Sequence, residues 1–63
     1  MKVIAYQIVE SEDMLIVDGE NLTVERQDKE GTILWREMFI DKRRLMEYVE
    51  EFVKEGTIYG GVM

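Results

Sequence analysis

Between Phe39 and Gly56 the apolar side chains recur with the period of an α-helix, and this stretch constrains the rest of the chain more than any other. At about 100° per residue, Leu45, Met46, Val49, Phe52 and Val53 fall in one arc, with Tyr48 at its edge. Glu47, Glu50, Glu51, Lys54 and Glu55 fill the opposite arc. Glu50 and Lys54 attract while Glu47 and Glu51 repel, each by roughly a few tenths of a kcal/mol. These surface terms cancel, so the helix depends on a surface against which its apolar arc can pack. Asp41 is placed to cap its start, because a carboxylate accepts hydrogen bonds from the first free backbone N–H groups. Ile40 and Leu45 flank that cap at the spacing of a hydrophobic staple, and Arg44 stands where a capping box would need Glu or Gln. Gly56 suits a left-handed residue at the helix end.

The surface for that helix is written in the preceding residues. Val3 to Glu10 predicts a strand whose two faces, Val3, Ala5, Gln7 and Val9 against Ile4, Tyr6 and Ile8, are both largely apolar. Such a strand lies inside a sheet or is covered on both sides. Met14 to Val17 is a short apolar run between turn signals. Leu22 to Gln27 alternates, with Leu22 and Val24 inward. Thr32 to Phe39 forms the next strand, with Ile33, Trp35 and Phe39 on one face and Leu34 and Met38 on the other. The links Asp18-Gly19-Glu20-Asn21 and Asp28-Lys29-Glu30-Gly31 are turn sequences, the first with Gly19 available for positive φ and the second ending in Gly31. Short links between successive strands imply an antiparallel meander. The expected fold is therefore α+β: a four-stranded antiparallel β-β-β-β-α arrangement with one C-terminal helix on one face of the sheet. Residues 1–59 make a single small domain, and Gly60-Gly61 marks 60–63 as a flexible tail. Thr57-Ile58-Tyr59 is suited to pairing at a sheet edge.

One helix covers one face, so apolar residues on the other face need a cover. The expected interface comprises Ile4, Tyr6, Ile8, Leu34, Met38, Ile58 and Tyr59, with Val62 and Met63 beside them, and the economical cover is a two-fold homodimer. Composition supports this. A chain of 63 residues buries only about 60% of its unfolded surface, and small domains are usually reinforced by disulfides, metal or a partner. Cysteine and histidine are both absent, which removes disulfides, thiolate chemistry and the common zinc sites, yet 46% of residues are hydrophobic. No segment resembles a signal peptide or approaches the roughly 20 apolar residues of a membrane span, so a cytoplasmic location is expected.

Charge is uneven. Residues 1–30 hold eight acids against Lys2, Arg26 and Lys29, a net of −5; residues 31–63 hold six acids against five bases, a net of −1. The total of −6 disfavours direct binding to nucleic acid or an anionic membrane and favours a basic protein surface. Glu10, Glu12, Asp13, Asp18 and Glu20 are the expected acidic edge for such a partner. If the first two strands form a hairpin, Glu10-Ser11-Glu12-Asp13 and Asp18-Gly19-Glu20-Asn21 would bring oxygens together as hard cations require, but the spacing matches no calcium loop, and a solvated acidic edge is the better reading. Ser11 has no recognisable base and reads as a turn serine. Arg36, Lys42, Arg43 and Arg44 cluster near the helix start, where backbone N–H groups favour anions, but no Gly-rich phosphate loop accompanies them. Trp35, Phe39, Tyr48 and Phe52 read as core rather than as a ligand pocket. The expected function is that of a small acidic non-enzymatic protein-binding module, an inhibitor or regulator of the phage or mobile-element kind that occupies a basic surface. The alternative is a structural homo-oligomer with no dedicated ligand. No cofactor and no catalytic residue is expected.

Overall fold

A computed structural model describes residues 3–62 of the chain. The elements follow in the order β1 (Val3–Ile8), β2 (Met14–Asp18), β3 (Thr23–Gln27), β4 (Ile33–Met38), α1 (Lys42–Lys54) and β5 (Ile58–Val62). The first four strands form the antiparallel meander that the short links predict, and the sheet order is β4-β3-β2-β1-β5. The fold is α+β with one helix, as expected, but the sheet has five strands rather than four.

The fifth strand takes in residues 60–62, which the sequence assigns to a flexible tail; Met63 lies outside the described residues. Tyr6 faces Gly60 and Ala5 faces Val62, so Gly61 is an extra residue in the ladder. Gly60 has φ +88°, a value open to glycine and strained for other residues. The glycine pair thus supplies a bulge within a strand instead of ending it. A second bulge lies on the opposite edge, where Arg26 faces Trp35 but Gln27 faces Ile33, leaving Leu34 extra.

Strands β4 and β5 run in the same direction at opposite edges of the sheet, four strand spacings or about 19 Å apart. A return element must cross one face to join them. The 13-residue helix, about 20 Å long, matches that distance. Its start is capped as the sequence predicts: Asp41 is extended, and its carboxylate accepts the Arg44 N–H at 2.8 Å. Its end is fixed by Gly56 at φ +71°. The expected staple does not close, because Ile40 remains 80% exposed.

Beneath the helix, Ile8, Leu15, Val17, Val24, Leu45, Val49 and Ile58 form the buried core. Tyr6, Leu22, Trp35, Phe39, Tyr48 and Phe52 pack around it. Phe39, Tyr48 and Phe52 pack in succession, one pair tilted and the next edge-on, with ring centroids 5.0 and 5.1 Å apart, so these aromatics pack against the core instead of lining a pocket. The turns differ in one respect from expectation. Gly31 takes positive φ in the β3–β4 turn, but in the β2–β3 turn the left-handed residue is Leu22, φ 58°, and not Gly19. The Asp18 carboxylate accepts the N–H groups of Glu20 and Asn21, curling the turn so that reversal falls on Leu22, whose side chain the core holds.

Candidate functional site

Strand register shows which side chains share a face with the core and which do not. Ile4, Tyr6 and Ile8 lie opposite Val17, Leu15 and Ile58 respectively, so this row of β1 points toward the helix. The expected interface is therefore corrected on β1 and β5. Ile8 and Ile58 are each only 5% exposed within the chain's own core, Tyr6 packs against that core, and Ile4 is half-buried on the same side. None of these four is on the uncovered face. Leu34, Met38 and Tyr59 do lie there and are exposed, Met38 by 75%.

The uncovered face is built from three cross-strand rows. The first runs Tyr59–Gln7–Met14–Gln27–Ile33, the second Ala5–Ile16–Glu25–Arg36, and the third Val3–Asp18–Thr23–Met38. Leu34 shares the alternation of Arg36 and Met38, while Ile33 shares the face of Gln27, so the β4 bulge turns two neighbouring apolar side chains outward together. Val3, Ala5, Met14 and Ile16 occupy the middle of this face and belong to no part of the buried cluster. These four carry the surface, and the sequence reading missed them because both faces of β1 and β2 are apolar. Gln7 was the signal: a polar residue in phase with Val3 and Ala5 marks their face as the wetter one. Its amide nitrogen donates to the Ser11 and Asp13 carbonyls at 3.0 and 3.1 Å, tying the face to the adjoining turn.

The acidic residues expected to form one edge are divided. The β1–β2 hairpin does form, but Glu10, Glu12 and Asp13 lie at one end of β2 and Asp18 and Glu20 at the other, about 16 Å apart along the strand. Asp13 is engaged by Arg26 at 2.7 Å, and Asp18 by its own turn, including the Asn21 side-chain amide at 2.8 Å. The Asn21 contacts, above all its backbone N–H, hold the Asp18 carboxyl below its ordinary value of 3.8. The Ser11 hydroxyl accepts the Asp13 N–H at 2.9 Å, the turn role expected of it. What the meander does bring together is the 9–13 turn and the 28–32 turn, where Lys29 approaches Glu12 at 3.8 Å. Glu10, Glu12 and Glu30 are exposed at that shared end. No group of three potential metal ligands and no pocket occurs among the described residues.

The basic cluster is divided too. Arg36 pairs with Glu25 across the uncovered face at 2.9 Å. Lys42, Arg43 and Arg44 are exposed at the helix start, and among the described residues none of the three lies within 4.0 Å of a carboxylate. The helix terminus near them is capped by Asp41, a carboxylate of the chain itself. On the other flank of the helix, burial and the nearby charge of Glu37 push the Tyr48 hydroxyl above its ordinary value of 10.0. No helix of the described residues is long and apolar enough to cross a membrane. Compared with known proteins, the chain matches no family model, no curated protein and no solved structure.

Proposed function

We propose that this chain is a small acidic protein-binding module of the cytoplasm, without catalytic activity, that associates with other chains through the uncovered face of its sheet. The observation that carries the reading is the apolar strip Val3, Ala5, Met14 and Ile16, continued by Ile33, Leu34, Met38 and Tyr59. A five-stranded sheet with a helix on one side leaves the first four of these half-buried and the other four exposed, and apolar strips of that kind mark association surfaces. The polar groups best placed for chemistry are committed to the fold: Ser11 and Asp18 hold turns, and Asp13 binds Arg26.

A second reading is the inhibitor or regulator that occupies a basic surface. It is favoured by the exposed acids Glu10, Glu12 and Glu30 at one end of the sheet. Affinity capture with two variants separates the readings. Ile16→Lys should abolish recovery of bound protein while Glu10→Lys, Glu12→Lys and Glu30→Lys together leave it unchanged. Salt-sensitive capture lost only in the triple variant would replace the first reading with the second.

A further inference from the structure

The uncovered face has almost no net charge although the chain carries −6. Its charged residues on the described strands are Asp18, Glu25 and Arg36, a net of −1 that leaves −5 for the rest of the molecule. Asp18 is turned into its own turn. Glu25 is held by Arg36 on one side and Gln27 on the other, and its side chain is 12% exposed. Two copies approaching by their turns meet acid with acid, and by their helices they meet a mixed surface of four bases and three acids. Two copies approaching by this face meet apolar side chains and an ion pair that is already neutralised.

Resting on the reading of this face as an association surface, we propose that its occupant is a second copy of the chain, packed face to face about a two-fold axis near Ile16 and Ala5. The dimensions suit that occupant. Five strands of about six residues span roughly 24 by 20 Å, so two such faces remove on the order of 1,000 Å² from water, the lower limit for a specific interface. Ile16 and Ala5 are cross-strand neighbours at the centre of the face, so a two-fold axis there sets apolar groups on apolar groups. Ile33, Leu34, Met38 and Tyr59 close the rim of the contact. Edge-to-edge pairing is opposed, because both edge strands are bulged.

The test is the mass of the full chain in solution by sedimentation equilibrium, followed on dilution from about 100 μM, with circular dichroism as a control on folding. The expected species has twice the 7.5 kDa of one chain. Ile16→Lys, which each dimer buries twice, should weaken dimerisation by about 100-fold or more, and Val53→Lys on the helix flank should leave it unchanged. Because the chain has no cysteine, Ile16→Cys gives an independent readout: mild oxidation should cross-link two copies through it, whereas Val53→Cys should not cross-link. A folded monomer throughout the concentration range overturns the inference, as does a dimer cross-linked through Val53→Cys and not through Ile16→Cys. A monomer whose capture of another protein is still lost on Ile16→Lys would overturn only the second copy, leaving the association surface in place. If Ile16→Lys affects neither property, both fall.

Discussion

At the scale of single residues, the backbone records two places where the chain departs from what its side chains prefer. Glu10 sits at φ 64° and Leu22 at φ 58°. A left-handed conformation costs a residue with a Cβ about 1–2 kcal/mol, and glycine avoids that cost while losing more freedom on folding. Leu22 has a reason to accept it, since its side chain packs on the core. Glu10 is exposed and its side chain makes no hydrogen bond or ion pair among the described residues. Glu10→Gly should therefore stabilise the protein by about 0.5–1 kcal/mol, measured as a shift in the urea midpoint at unchanged slope. Asp18 acts in the other direction. Its folded-state carboxyl titrates below 3.8, so its stabilising effect is complete above that pH and is lost as acidification carries the solution through the lower folded value. Thermal unfolding followed from pH 5 downward should show a component of acid destabilisation below about pH 3.8 that Asp18→Asn removes.

At the scale of elements, the helix was the most legible part of the chain. Its 3.6-residue apolar period, Asp41 and Gly56 each report on local geometry, and each is observed. Asp41→Ala should cost about 1 kcal/mol by removing the acceptor for the Arg44 N–H, and chemical denaturation of the two proteins checks this. The strands and their order were legible for a similar reason: the turns 18–21 and 28–31 are short and chemically marked. The face of each strand was less so. In Val3 to Ile8 and Met14 to Val17 apolar residues follow one another, so alternation does not say which row the helix covers. That choice depends on contacts between residues far apart in sequence, and it fell to Tyr6, Ile8, Leu15 and Val17. The last strand was hidden for a different reason. Two glycines have no side-chain pattern to read, and a bulge at Gly60 is a property of its pairing with β1. The acidic residues are divided by distance alone: residues close in sequence lie at opposite ends of a strand.

At the scale of the whole molecule, the chain is two layers with a thin core. Among the described residues, seven buried side chains hold a five-stranded sheet under one helix, and much of the remaining apolar content sits on the far side of the sheet. Excess negative charge is placed away from that side, mainly on the turns, while the helix carries four bases against three acids. The result is a body with one side adapted to water and another that is nearly neutral and apolar.

The interrupted ladders at the two borders bear on what happens when such bodies crowd together. Leu34 and Gly61 each throw the outermost backbone out of step, so an incoming strand finds no regular row of donors and acceptors to copy. Growth by adding strand to strand, the route to fibres, is thereby discouraged at both ends of the sheet. If copies join by the flat side as proposed, blunted rims stop them at a finite stack instead of letting them run on into a filament.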